Sequence, residues 1–143
     1  MAATAEAKLR LRVVTNDSIK YDEDTDMVIL RCVTGDMGIL YGHEACSAIL
    51  DDGVLRIIKD GEESRMAVFG GIAQVLDNAV TILTNDAQWP DEIDQERVTA
   101  EREDAQSRLR ENADNVQIQK DQVVMRRTLV QIEVSAYPLI NRN

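Results

Sequence analysis

Between Lys8 and Asn85 the apolar positions fall in short runs separated by turn residues. "KLRLRVVT" (8–15) alternates apolar and basic side chains, the period of two that a half-buried strand requires. "DMVILRCV" (26–33) is a β-branched-rich run suited to a strand buried on both faces. "GVLRIIK" (53–59), "SRMAVFG" (64–70), "GIAQVLD" (71–77) and "AVTILTN" (79–85) follow. Asp51-Asp52-Gly53, Asp60-Gly61, Gly70-Gly71 and Asp77-Asn78 are the turn signals that separate them. Short strands joined at this interval predict an antiparallel β-sandwich or barrel over residues 1–88.

The period changes at Pro90. "PDEIDQERVTAEREDAQSRLRENAD" (90–114) is charged and free of glycine, which predicts a helix. Asp91 is the expected N-cap, and Asp91, Glu92 and Asp94 place negative charge in the first turn, where the helix dipole favours it. The apolar stripe is narrow: Ile93, Val98, Ala105 and Leu109. "NADN" (112–115) reads as a break. A second helix is expected from Val116 to Ala136, with Ile118, Met125, Leu129, Ile132 and Ala136 on one face and Pro138 ending it. Val123, Val124, Val130 and Val134 would also suit a strand, but the length of the segment favours a helix. Residues 89–143 thus form an α-helical hairpin whose thin stripes cannot build a deep core alone. The expected architecture is a rigid β-sandwich carrying a detachable helix-turn-helix.

Composition narrows the function. Apolar residues are 44% of the 143 and aromatic residues 3%, so the core is aliphatic. A net charge of −10 repels nucleic acid, whose binding rests on neutralising phosphates. Two cysteines, Cys32 and Cys46, read as small buried hydrophobes in a reducing compartment. The N-terminus lacks the pattern of a signal peptide, and no run reaches the roughly 18 apolar residues of a membrane span. These features place the chain in the cytosol, or on a membrane only through partners. A catalytic pair is not legible, because the single histidine, His43, and Cys46 are neighbours in a turn rather than drawn from distant segments. No metal-ligand spacing and no Walker phosphate loop occur, and Gly70-Gly71 reads as a bulge or close packing point. The residues point to a non-enzyme.

"TGDMGILYGH" (34–43), "GVLRI" (53–57), "MAVFGGIAQVLDNAVTILTNDA" (66–87) and "EIDQERV" (92–98) occur in one order over roughly Leu9 to Ala136. In that order they resemble the epsilon subunit of bacterial F-type ATP synthases. The resemblance implies a non-catalytic subunit of the rotating central stalk. It would couple a c-subunit ring to a gamma subunit during ion-driven ATP synthesis, on the cytoplasmic face of the bacterial inner membrane and peripheral to it. It assigns Gly35, Asp36, Met37 and Gly38 to the c-ring interface, as a tight turn presenting the Asp36 charge. It assigns Tyr41 and His43 to the gamma interface; an ordinary surface or capping role for His43 stands beside that.

The family's helical hairpin can regulate ATP hydrolysis by extending into the alpha/beta catalytic hexamer, and Arg108, Arg110, Lys120, Arg126 and Arg127 could supply the positive charge. Some relatives bind ATP as a regulatory ligand on the folded hairpin, and Ile93, Asp94, Arg97 and Arg127 match that motif. Val98 stands in place of an alanine, Gln131 in place of a second arginine and Asp104 where some binders carry a basic residue. The expectation is therefore weak or absent ATP binding, with no other cofactor and no metal. From another class, a stand-alone β-sandwich binding module that dimerises through its helices fits the composition equally.

Overall fold

The computed structural model describes residues 7–111 and 114–137. Part of the expected break at 112–115, and Pro138, lie outside them. Eight strands come first: β1 (Leu9–Val14), β2 (Ile19–Thr25), β3 (Met27–Cys32), β4 (Gly35–Leu40), β5 (Cys46–Lys59), β6 (Glu62–Leu76), β7 (Ala79–Leu83) and the two-residue β8 (Ala87–Gln88). A single 3-10 turn at Pro90–Glu92 leads into α1 (Gln95–Arg110) and α2 (Asn115–Ser135).

The strands bond in the order β2-β1-β7-β6-β5-β3-β4, with β8 on β6. The long hairpin of β5 and β6 belongs to both layers of the sandwich. Its Cys46/Leu76 end carries β7, β1 and β2 on one side, and its Lys59/Glu62 end carries β3 and β4 on the other. Asp51-Asp52-Gly53 and Gly70-Gly71 were expected to separate strands. Instead both lie inside β5 and β6, where a strand that changes layer must bend. The ladder is antiparallel except between β1 and β7, which run parallel and so cover the inner edge of β1.

Packing follows the alternation. Leu9, Leu11 and Val13 of β1 are wholly buried against Leu30, Ile39, Ile57, Met66, Val75 and Ile82. Arg10 and Arg12 point the other way and pair with Asp22 and Asp24 of β2. β2 itself ("IKYDEDT") was not among the expected strands. It is an edge strand whose charges face those arginines, so it lacks the apolar alternation that would reveal it. Gly53 and Gly71 hold the bends: a Cβ on Gly53 would lie 2.3 Å from the Arg31 Cβ, and one on Gly71 would lie 2.1 Å from the Leu83 carbonyl oxygen.

The helices differ from expectation in two details. Asp94, not Asp91, is the N-cap of α1 and accepts from the Arg97 amide; residues 90–92 form the 3-10 turn because Pro90 and the Glu92 carboxylate, bonded to the Trp89 amide, close it first. In α2 the buried residues are Asp121, Thr128, Val130, Gln131 and Val134, whereas Leu129 of the expected stripe is exposed. The reason is that α2 has two neighbours. Val130 and Val134 join Ala67, Phe69, Ile93 and Val98 in a small cluster on the sandwich. Asp121 and Thr128 face α1, where Arg108 and Arg102 bond to them. A helix shared between an apolar and a polar partner shows no single stripe.

Candidate docking surface and hairpin pocket

The outer face of the layer containing β1, β2 and β7 carries an apolar row. Direct ladder partners Ile49, Ile72, Leu83, Val14 and Ile19 cross five strands in line, β5-β6-β7-β1-β2. Partners in register share a face, and four of the five are more than half exposed. Leu76, outward on β6, extends the surface toward the β6–β7 turn. Five apolar side chains in one line, four of them exposed, form a contiguous patch and a candidate docking face. The sequence passed over this row because Ile49, Ile72 and Leu83 become neighbours only through register.

The residues expected to meet partners lie around β4. Gly35, Asp36, Met37 and Gly38 are in that strand rather than in a turn; the turn is Val33-Thr34, and Gly35 (φ 122°) starts the strand. Asp36 faces Arg31 across the β3–β4 ladder and is ion-paired with it. Its charge is therefore shared within the chain. Tyr41 and His43 follow at the other end of β4. The Gly42 amide donates to Asn78 Oδ1 at 2.6 Å, which fixes that loop beside the β6–β7 turn and Leu76. Tyr41 is exposed, and His43 Nδ1 lies 2.8 Å from the Glu44 carbonyl oxygen. Cys46 is half-buried and packs against the sandwich core.

A second site lies where the hairpin meets the sandwich. Gln88, Glu92, Ile93, Asp94, Arg97, Val98, Glu101, Arg127 and Gln131 line a cavity of about 210 Å³. The structure thus brings Ile93, Asp94, Arg97 and Arg127 together. The charged groups among them are already engaged within the chain. Asp94 caps α1, Arg97 pairs with Glu101, and Arg127 pairs with Asp86 while its guanidinium lies 3.9 Å from the centre of the Phe69 ring. Asp86 and Phe69 were not singled out from the sequence.

Several ion pairs set the acid limit of the fold. The bond from Lys8 holds Asp26 below the usual carboxylate range, and the bond from Arg56 does the same for Glu63. Burial pushes Asp121 up, but the bonds from Arg108 and Gln117 more than offset it, so its carboxyl also lies low. Each carboxyl therefore binds its proton more readily in the unfolded chain. Their stabilisation is present above the ordinary values of 4.5 for Glu63 and 3.8 for the two aspartates, and is lost as pH falls below them. Asp52 acts oppositely, because burial and then the Asp51 charge raise it, and protonation relieves that cost. The midpoint of thermal unfolding should be level from about pH 8 to about pH 5 and fall below about pH 4.5. Calorimetry of the full chain checks this; a midpoint rising on acidification from about pH 5 to about pH 3 contradicts it.

Residues 8–90 match the family described as ATP synthase, Delta/Epsilon chain, beta-sandwich domain. The chain belongs to the ATP synthase epsilon chain family. It is 35% identical over 127 residues to the ATP synthase epsilon chain of Bacillus velezensis, covering 89% of this chain and 96% of that one. To the epsilon chain of Bacillus subtilis it is 41% identical over 110 residues, 77% of this chain and 83% of the relative. Among solved structures it superposes with a TM-score of 0.79 and 26% identity on a chain of the Euglena gracilis mitochondrial ATP synthase, from a complex of OSCP, F1 and c-ring, covering 92% of this chain and 82% of that one. The family match covers the sandwich; the curated relatives extend it into the helices. The β-sandwich followed by two helices agrees with the architecture expected from patterning.

Proposed function

We propose that this epsilon-family chain is a non-catalytic rotor subunit that couples a c-subunit ring to a gamma-type stalk subunit. The carrying observation is the exposed row Ile49-Ile72-Leu83-Val14-Ile19 with Leu76 and Tyr41 at its margin. A flat apolar face on a stiff, close-packed sandwich suits a permanent subunit contact, which must bear torque without slipping. In this reading Tyr41 and His43 belong to the gamma contact, and Gly35, Asp36, Met37 and Gly38 to the c-ring contact. Because Arg31 pairs with Asp36, the latter contact would register polar loops by a mixed-charge corner rather than by a bare negative charge. No helix of the described residues is long and apolar enough to cross a membrane, which is compatible with a peripheral position on the cytoplasmic face of the inner membrane.

Purification of the tagged full chain from its own cells tests this. The gamma subunit and the catalytic hexamer should accompany it. Recovery as a free homodimer would instead support the binding-module reading.

The hairpin regulates hydrolysis in the same proposal, and does so only when it leaves the sandwich. While docked, Arg127 is held by Asp86 and so is not available to an acidic rim of the catalytic head; Arg108 is held by Asp121 within the hairpin and is released only when α1 and α2 separate. Deleting residues from Asp91 onward should raise ATP hydrolysis by the assembled complex.

ATP binding by the docked hairpin is weak or absent. An incoming triphosphate would meet Glu92, Asp94 and Glu101 in the cavity and would have to displace Asp86 from Arg127. Gln131 offers no charge and already donates to Gln88. Each missing charge-assisted phosphate contact removes about 1.5–3 kcal/mol. Titration calorimetry of the isolated chain should detect no micromolar site for ATP.

A further inference from the structure

We propose that Arg127 is the latch that holds the hairpin on the sandwich, its guanidinium seated between the Phe69 ring and the Asp86 carboxylate. The apolar cluster joining the two parts consists of Ala67, Phe69, Ile93, Val98, Val130 and Val134, with Val54 and Ile132 partly buried at its edge. Polar contacts also cross between the helices themselves. Arg102 donates to the Met125 carbonyl at 2.7 Å, and Arg108 pairs with the buried Asp121, one of whose oxygens has no hydrogen-bond partner among the described residues. Such a hairpin does not adhere by hydrophobic burial alone, so polar contacts decide whether it stays.

Two of the polar contacts meet at one side chain. Arg127 Nη2 bonds Asp86 Oδ2, and its guanidinium stacks on Phe69. Asp86 stands in the β7–β8 connection and Phe69 in β6, so one side chain of α2 grips two separate segments of the sandwich. The geometry combines an ion pair with a cation–π contact, which strengthens as water leaves the ring face. Asp52, on the bend of β5, feels the attraction of Arg126 and Arg127, so the field around the latch is acidic on the sandwich side. One turn beyond, Gln131 donates to Gln88, and at the end of α2 Arg65 lies over the Tyr137 ring at 4.3 Å. These hold the helix in line, and among the described residues the Arg127–Asp86 pair is the ion pair by which α2 meets the sandwich. The consequence is a docking equilibrium that responds to ionic strength and to any anion able to take Arg127 from Asp86. This is independent of the rotor reading, since it concerns the isolated chain.

Hydrogen exchange in the full chain tests the latch. Asp86→Ala should speed exchange of the α2 amides between Thr128 and Val134 roughly tenfold, while the amides of β1 and β6 keep their protection. Arg127→Lys, which keeps the charge but loses the planar stack, should speed it too. The exchanged pair Asp86→Arg with Arg127→Asp restores the ion pair but not the stack from α2 on Phe69, so its rate should fall between those of Asp86→Ala and the unaltered chain. Raising salt from about 0.05 M to about 0.5 M should speed exchange in the unaltered chain and much less in Asp86→Ala. Unchanged exchange in Asp86→Ala overturns the proposal. So does acceleration spread equally over α2 and the sandwich strands, which would mean general destabilisation.

Discussion

Replacing Gly71 by alanine is expected to lower the stability of the sandwich by about 2–6 kcal/mol, from two separate costs of about 1–3 kcal/mol each. The backbone there has φ of 117°, a conformation that side-chain-bearing residues rarely adopt. The added Cβ would also lie 2.1 Å from the Leu83 carbonyl oxygen and 2.9 Å from the Thr84 Cα, both backbone atoms of a paired strand that cannot move aside cheaply. Relief would need β7 to separate from β6 where Ile72 pairs with Leu83, beside the wholly buried Ala73 and Ile82. Gly61→Ala is the control. Its φ of 80° is also strained, but nothing lies within 4 Å of the new atom, so about 1–2 kcal/mol is expected. Denaturant unfolding of the full chain measures both through the midpoint at unchanged slope. Equal losses for the two variants would show that conformation alone, not the close approach, sets the cost.

Ile72→Asp is expected to weaken binding to the gamma-type stalk subunit more than about 100-fold while leaving the fold intact. Ile72 is 54% exposed and lies at the centre of the apolar row, between Ile49 and Leu83. Its loss removes about 2 kcal/mol of apolar burial on docking. An unpaired carboxylate pressed into that contact adds several kcal/mol more. In the free chain the aspartate stays in water but gives up its cross-strand contacts with Ile49 and Leu83, so a stability loss of about 1–2 kcal/mol without unfolding is expected. Val116→Asp is a matched control at an equally exposed apolar residue on α2, away from the row, and should bind as before. Calorimetric titration against the purified partner, with thermal unfolding of each variant, separates the two effects. Full affinity in Ile72→Asp would remove the outer face from the docking surface and with it the main support for the rotor reading.

What was legible in the sequence divides along the range of the interactions. The period of two in Leu9–Val14, the turn pairs Asp60-Gly61 and Asp77-Asn78, and the change to a charged, glycine-free segment after Pro90 are local signals, and the strands and helices they imply are present. Ile93, Asp94 and Arg97 were singled out through the family resemblance, and they stand together at the entry to α1. Beyond this the local code is silent. β2 is hidden because an edge strand paired by Arg10 and Arg12 needs no apolar alternation. The face of α2 was misread because its two sides meet different partners, one apolar and one carrying arginines.

By itself, then, the chain determined a sandwich followed by a hairpin, because backbone conformation and amphipathic period are settled by neighbours a few residues apart. The tertiary structure alone assembled the surfaces proposed to meet other molecules. Ladder register aligned Ile49, Ile72, Leu83, Val14 and Ile19 from separate strands into one row. Packing of α2 carried Arg127 to Phe69 and Asp86, 58 and 41 residues earlier in the chain. Such juxtapositions depend on how strands are ordered and bent, and no short window of residues contains that information.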